Sequence, residues 1–182
     1  MNWTINGSLT VAPALERAGL LAPPVVKALE GAGPEAAAGV GVAEIDAGLA
    51  DTAEFCEHYG VPLEASANCV IVAGKRGGEV GYAACLALAT TRVNVNTVVR
   101  KRLDARKASF APMAEAVEAT GMEYGGITPV GLPPGWPLLI DSRVAAAPEL
   151  VVGGGTRGAK LLVSGDFLRS LDAAEVIDGL AS

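Results

Sequence analysis

The chain has 182 residues and a net charge of −6, and hydrophobic residues make up 51% of it. This length suits one domain with a sizeable core, and the apolar fraction argues against intrinsic disorder. The acidic balance argues against general nucleic-acid coating, so we expect no DNA partner. No stretch has the roughly 18 apolar residues of a membrane span, and none has the form of a signal peptide, so we expect no membrane partner.

The predicted elements begin with short segments separated by proline and glycine. Hydrophobic spacing and caps in the first 60 residues predict helices over 10–18 and 24–30, a strand over 40–45, and a helix from Asp51 or Thr52 to Tyr59. Beyond that helix, the pattern predicts strands over 68–73 and 79–89, with a turn at 75–78 between them. A helix from Asn94 or Asn96 to Leu103 and a strand over 107–110 come next.

The last third of the chain predicts a helix over 111–119 with Pro112 in its first turn. Strands over 138–141, 150–153 and 160–163 follow, and then helices over 166–171 and 173–179. Several connections between strands are too short for parallel crossovers. The sequence therefore predicts an α/β protein of the α+β type, a single domain with a mixed sheet.

Two glycine-rich loops stand out. The first glycine loop, residues 119–137, holds five glycines and four prolines. The second glycine loop, residues 151–158, reads Val-Val-Gly-Gly-Gly-Thr-Arg-Gly. Such loops expose backbone N–H and C=O groups and can form the wall of a binding site. An ordinary surface crossover has the same composition, and the residues alone leave both interpretations open.

The order of these motifs resembles a known family. Thr-Gly-x-x-x-Gly-Gly-Ile-x-Pro-x-Gly runs from Thr120 to Gly131, Leu-Leu-Ile-Asp follows at 138–141, and Gly-Gly-x-Arg-Gly covers 154–158. This order is similar to the YbaK/EbsC-type aminoacyl-tRNA editing domains, which include the prolyl-tRNA editing proteins. The resemblance covers about residues 48–180. It implies a curved mixed sheet or partial barrel flanked by helices, with residues 1–47 as an N-terminal extension packed on an editing domain over 48–182.

The resemblance also implies an activity. Editing domains of this family hydrolyse the ester that joins a wrong amino acid to tRNA. An aminoacyl ester is already activated, so positioning a water and stabilising the oxyanion suffice, and we expect no metal and no organic cofactor. The residues that match the family's pocket loops, and that we expect to bind substrate, are Gly125, Gly126, Thr128, Pro129, Gly131, Gly154, Gly155 and Arg157.

The chain departs from the family pattern at Asn68, because many members have a functionally essential lysine in that strand. Asparagine keeps hydrogen-bonding capacity and loses the charge. Asn68 could be the polar contact for the ester, a cation such as Arg157, Arg92 or Lys160 could replace the lysine, or the domain could bind without turnover. A structural asparagine at the strand end is the remaining interpretation.

Basic residues concentrate after the second predicted hairpin strand. Five of the fourteen lysines and arginines lie within residues 100–107. We expect four cations to contact RNA, namely Arg92, Arg100, Lys101 and Arg102, although a solvated helix face has the same pattern.

Other catalytic devices find little support. His58 is the only histidine, which argues against Ser-His-Asp and Cys-His nucleophile systems, and zinc-ligand spacing is absent. The odd number of cysteines indicates reduced core thiols and a cytoplasmic protein.

The leading hypothesis is a trans-editing deacylase that acts on the acceptor end of a mischarged aminoacyl-tRNA, with an aminoacyl-tRNA synthetase as a candidate partner. The alternative is a non-catalytic binding module that retains the aminoacyl pocket. A hydrolase of unrelated small esters is a third reading, since it needs only the oxyanion device.

Overall fold

A computed structural model describes residues 2–182 of the chain. Its nine strands are β1 (Val11–Pro13), β2 (Gly41–Glu44), β3 (Ala67–Arg76), β4 (Glu79–Leu88), β5 (Lys107–Phe110), β6 (Leu138–Asp141), β7 (Leu150–Gly153), β8 (Ala159–Val163) and β9 (Ala174–Ile177). Its α-helices are α1 (Pro23–Gly31), α2 (Pro34–Ala38), α3 (Thr52–Tyr59), α4 (Arg100–Arg102), α5 (Met113–Thr120), α6 (Ser142–Ala145) and α7 (Gly165–Arg169).

The strands form two sheets. The first sheet has the order β1-β2-β8-β7 and is antiparallel throughout. The second has the order β5-β3-β4-β6-β9 and is mixed, because β6 pairs in parallel with both β4 and β9. A parallel bridge between Ser66 and Val151 joins the two sheets. The predicted α+β class with a mixed sheet flanked by helices is confirmed, with the strands divided between two sheets that do not close.

Both sheets share one hydrophobic core. The largest apolar cluster contains Val25 and Leu29 of α1, Leu86 of β4, Ile140 of β6 and Leu161 of β8, all of them fully buried. Burying such side chains contributes about 1.5–3 kcal/mol each. Because the cluster crosses from one sheet to the other, the structure forms a single folded unit.

The N-terminal segment is part of this unit. It supplies β1 and β2 to the first sheet, and α1 lies against both glycine loops. At Gly131, a Cβ atom would come within 2.4 Å of the Pro24 carbonyl oxygen, and at Gly155 within 2.6 Å of the Ala22 Cβ. Residues 2–47 therefore support the loops from behind, while a domain boundary at residue 47 stays a prediction.

Two predicted helices were wrong, in whole or in part. Residues 173–179 contain β9 rather than a helix, since Ala173 has a positive φ of 57° and the following residues pair in parallel with β6. Residues 10–18 begin as β1, where Val11 lies opposite Ala43, and only then turn into a 3-10 helix over Ala14–Leu20. In both places pairing with a distant strand overrides the local helical preference.

The predicted helix after Asn94 also differs in form. It is a π-helical turn over Val95–Val99 that continues into the single turn of α4. By contrast, α3 agrees with its prediction: it begins at Thr52, ends at Tyr59, and is closed by Gly60 at a left-handed φ of 68°.

Asp141 is a fully buried carboxylate that organises the C-terminus. Its oxygens accept from the Arg143 backbone N–H and guanidinium and from the Ala181 N–H. Burial alone would raise the pKa of Asp141 by desolvation, but these hydrogen bonds outweigh it and hold the pKa below its usual value. Asp141 therefore caps α6 and ties down the C-terminus.

We expect Asp141→Asn to lower the free energy of unfolding by about 2 kcal/mol at pH 7. A carboxyl whose folded pKa is depressed stabilises the fold above its unfolded pKa of about 4, and that stabilisation is lost as the pH falls through the folded pKa. Urea unfolding at pH 7 and pH 3 should therefore show a smaller difference between variant and wild type at pH 3. An equal difference at both pH values would contradict this account.

Candidate active site

A cavity of about 600 Å³ opens between the two sheets. Its walls come from the start of α3, the first half of β3, the start of α5, the end of β7, Lys160 of β8, and the first glycine loop at Tyr124, Gly125 and Ile127. Most of these side chains are apolar, and the polar ones cluster where α3 begins and along β3. A largely apolar cavity with a few polar groups is typical of a small-molecule site.

The two glycine loops hold each other through a short network of hydrogen bonds. The Gly155 N–H donates to the Gly126 carbonyl at 2.7 Å, and the Glu123 N–H donates to the Gly155 carbonyl at 2.8 Å. The Glu123 carboxylate in turn accepts from the Arg157 N–H at 2.7 Å. Glu123 thus links the loops twice, a role that the sequence analysis did not assign.

Close contact between backbones explains the glycines. A Cβ atom at Gly126 would lie 2.5 Å from the Thr156 carbonyl group, and one at Gly153 would lie 2.5 Å from the Gly126 oxygen. The Gly126 N–H donates to the Glu123 carbonyl at 2.9 Å. The N–H groups of Gly126 and Gly155 are therefore used inside the loops and are not available to bind a substrate.

The predicted pocket residues occupy different places. Gly125 lines the cavity, and so does Gly153 of β7, which was not among the predicted residues. The remaining predicted residues are not part of the lining: Gly126, Thr128, Pro129, Gly131, Gly154, Gly155 and Arg157. Most of them are buried behind the wall, and the Thr128 hydroxyl is fully buried with no hydrogen-bond partner among residues 2–182. Arg157 donates to the carbonyl oxygens of Ala47 and Tyr124.

Asn68 is exposed near the start of β3, on the cavity wall. Its Oδ1 accepts a hydrogen bond of 2.7 Å from the Thr52 hydroxyl. An amide oxygen held in this way turns the two Nδ2 hydrogens away from Thr52, and no residue among 2–182 accepts them. Asn68 is therefore oriented as a hydrogen-bond donor.

A second cavity of about 610 Å³ adjoins the first. The two share Asn68, Val70 and Phe110, so these residues form the ridge between them. The second cavity is more polar along one side, where Thr91, Arg92, Asn94, Asn96 and Thr97 line it. The Phe110 side chain is 59% exposed on the ridge.

The predicted RNA-contacting cations differ in what they already bind. Arg92 lines the second cavity. Arg100 donates to the backbone oxygens of Asn96 and Ala105, and Arg102 pairs with Glu175. Lys101 is exposed and has no ion pair within residues 2–182. Arg92 and Lys101 are thus the two of these four cations whose side chains make neither an ion pair nor a hydrogen bond within residues 2–182.

Lys160 is the one lysine in the cavity wall, and its side chain is buried. Its ammonium donates to the Ala50 carbonyl at 2.8 Å and lies 4.9 Å from the ring centroid of Phe55. Desolvation lowers the pKa of Lys160; it outweighs an opposing effect of Cys56, and Arg157 and Asp51 have smaller effects that lower and raise the pKa respectively. Of the three cations considered as substitutes for a lysine at position 68, Lys160 is the one that reaches this cavity.

Among the residues that the structure describes, no cluster of acidic, cysteine and histidine side chains could hold a metal ion. Within the same range, no helix is long and apolar enough to cross a membrane. His58 lines neither cavity and packs edge-on against Tyr59.

Comparison with known proteins decides the family. The model of the aminoacyl-tRNA editing domain matches residues 46–171. The chain belongs to this family. The match includes both glycine loops, Asn68, Lys160 and the ridge between the two cavities. The predicted resemblance is confirmed, and with it the general activity of the editing domain, removal of an amino acid from a mischarged tRNA.

Solved structures share the fold. A crystal structure described as a candidate trans-editing enzyme for prolyl-tRNA synthetase has 24% identity, a TM-score of 0.72, and coverage of 86% of this chain and 94% of that one. A hypothetical protein named APE2540 has 27% identity, a TM-score of 0.64, and coverage of 73% and 85% respectively. At such identities the similarity establishes the architecture of the editing domain, and the roles of individual residues rest on the geometry of this site.

Proposed function

We propose that the first cavity holds the amino acid of a mischarged tRNA, the second cavity holds the terminal nucleotide, and Asn68 contacts the ester between them. The observation that carries this proposal is the position of Asn68 on the ridge shared by both cavities. An aminoacyl ester also has two unlike halves joined at one reacting carbonyl. Both cavities have a largely apolar lining; the first, which is framed by both sheets, suits the amino acid, and the second, which has Arg92 and several amide and hydroxyl side chains along one side, suits a nucleotide.

The proposed chemistry is ester hydrolysis. A water oxygen attacks the carbonyl carbon, and the bond from that carbon to the ribose oxygen breaks. The ribose oxygen leaves as a hydroxyl with one of the water's protons, the amino acid is released as a carboxylate, and the second proton goes to solvent. Negative charge develops on the carbonyl oxygen in the transition state, and a preorganised donor stabilises it. The Asn68 amide supplies such a donor. The N–H groups of Gly126 and Gly155 cannot, because they already donate to carbonyl oxygens within the loops.

The glycine loops would shape the pocket rather than activate the ester. Gly125 forms part of the wall, and the other predicted residues hold it in place: Gly126, Thr128, Pro129, Gly131, Gly154, Gly155 and Arg157. A wall fixed by backbone contacts cannot widen easily, so it excludes amino acids that are too large. This is the logic of a second sieve.

The nucleotide half would be held by contacts in the second cavity. Phe110 presents an exposed ring on the ridge, where a base can stack for about 1–3 kcal/mol. Arg92 lines the same cavity and can meet a phosphate, and Lys101 could extend the basic surface. Binding should weaken as salt rises. An aminoacyl-tRNA synthetase remains a candidate partner, and the cytoplasm, where aminoacyl-tRNAs are used, suits the three free thiols.

Single-turnover deacylation tests the proposal. We expect the protein, in excess over a panel of mischarged tRNAs that includes alanyl- and cysteinyl-tRNA(Pro), to release at least one amino acid faster than the uncatalysed reaction. The readout is the amount of labelled aminoacyl-tRNA that remains over time. A family deacylase assayed alongside provides the positive control.

Absence of release from every ester would overturn the catalytic proposal. Retained binding of an aminoacyl-tRNA under those conditions would favour the alternative, a non-catalytic module with the same pocket. The lining of the first cavity is compatible with that alternative, since among the described residues it contains no histidine and Asp51 is its only carboxylate.

A further inference from the structure

The Lys160 side chain is a buried cation for which the fold provides no counter-ion. It is 7% exposed, and none of the ion pairs among residues 2–182 involves it. The one carboxylate that acts on its charge belongs to Asp51, which is 70% exposed and lies 3.7 Å from the Arg157 guanidinium instead. Burying an ammonium group without a partner is unfavourable, so packing alone gives no reason for a lysine at this position.

The Lys160 ammonium group has hydrogens that the fold does not use. It carries three hydrogens, and the structure uses one of them for the Ala50 carbonyl at 2.8 Å. The Phe55 ring covers another side of the charge at 4.9 Å. Because Lys160 lines the first cavity, a remaining hydrogen can reach a molecule bound there.

Lys160 and Asn68 face different parts of that molecule. Asn68 is exposed and belongs to both cavities, whereas Lys160 is buried and belongs to the first cavity alone. If the ester lies at Asn68 and the nucleotide lies in the second cavity, the group that meets Lys160 is the side chain of the amino acid. The amino acid's own α-ammonium is repelled by Lys160 and so favours the opposite side.

We infer that Lys160 is a specificity-determining residue that favours amino acids with an oxygen acceptor on the side chain over apolar amino acids of the same shape. This inference rests on the proposed function. Most of the lining around Lys160 is apolar, as at Phe55, Val151 and Val152, and cannot recognise a hydroxyl or a carboxylate. The Ser66 hydroxyl already contacts the Cys56 thiol at 3.3 Å, and the Asp51 carboxylate repels an oxygen acceptor. A site that hydrogen-bonds a substrate group discriminates strongly against the analogue that lacks it.

The test compares esters matched in shape. Threonyl- and valyl-tRNA differ by a hydroxyl in place of a methyl group, and aspartyl- and leucyl-tRNA differ by a carboxylate in place of an isopropyl group of similar shape. We expect wild-type protein to prefer one oxygen-bearing member of these pairs by about tenfold or more, the effect of one hydrogen bond to a charged group. In Lys160→Met the ratio of the two deacylation rates in that pair should fall to about three or less, because the favoured ester is hydrolysed more slowly. The threonyl pair reports a hydroxyl ligand and the aspartyl pair a carboxylate.

The ratio within each variant is the decisive quantity, because partial unfolding lowers both rates equally and leaves their ratio unchanged. Lys160→Gln, which keeps a neutral donor, serves as the second variant and should retain an intermediate ratio. Wild-type ratios near one for both pairs would overturn the inference, and so would a ratio that Lys160→Met leaves unchanged. In either case release of amino acid would show that the proposed function stands. No release from any ester would remove the function and the inference together.

Discussion

Replacing Asn68 with aspartate is expected to slow single-turnover deacylation by about 10²–10³-fold, the effect of losing one donor to a developing oxyanion. Aspartate has the same shape and can still accept the hydrogen bond that the Thr52 hydroxyl now gives to Oδ1 at 2.7 Å. It has no hydrogen to donate, and its negative charge opposes the charge that develops on the ester. The measurement is the rate of amino-acid release with protein in excess, on whichever ester the wild-type protein hydrolyses.

Three further variants separate the donor from its orientation. Asn68→Lys keeps a donor and adds a charge, so it should match or exceed the wild-type rate. Thr52→Val removes the hydroxyl that fixes the amide, so it should slow release by about tenfold while Thr52→Ser does not. Because Asn68 is exposed, its substitutions should change the free energy of unfolding by less than about 0.5 kcal/mol. An Asn68→Asp rate equal to the wild-type rate would exclude the amide as the donor.

Gly126→Ala is expected to lower the free energy of unfolding by about 3 kcal/mol and to abolish most deacylation. The new Cβ would lie 2.5 Å from the Thr156 carbonyl, and backbone atoms cannot move aside as a side chain can. Relieving the contact would separate the loops and break the 2.7 Å hydrogen bond from Gly155 to the Gly126 carbonyl. The cavity wall at Gly125 would move with them.

Gly158→Ala is the matched control in the second loop. A Cβ atom at Gly158 would have the Ile45 oxygen as its nearest atom, at 3.9 Å, which is ordinary van der Waals contact, and the φ angle of Gly158 is not positive. We expect this variant to stay within about 0.5 kcal/mol of wild type in urea unfolding and to keep its activity. Equal stability of the two variants would show that the loops are not held together as described.

Much of the fold could be predicted from local pattern. The sequence predicted that α3 begins at Asp51 or Thr52 and is closed by Gly60, and it predicted the ends of β4 and β6 to within one residue. These elements have their signals inside their own sequence. The segment that became β9 has its partner strand β6 more than thirty residues earlier, so its local preference for a helix was misleading.

The candidate site divides in the same way. The two glycine loops and their order were visible as motifs, and they were sufficient to predict the family. The sequence also drew attention to Asn68 as a departure from the family pattern. It did not assign Glu123 a role, because a carboxylate in a loop carries no sign of the N–H it binds 34 positions away.

The sequence by itself therefore determined the α+β class, the editing family and the loops that shape the pocket, since each depends on residues that lie close together along the chain. Tertiary structure alone decided that Asn68 lies between two cavities, that the Thr52 hydroxyl donates to its amide oxygen, and that Lys160 is buried beside Ala50, 110 positions away. Burial and hydrogen-bond partners depend on which distant segments meet, and that depends on how the whole core packs.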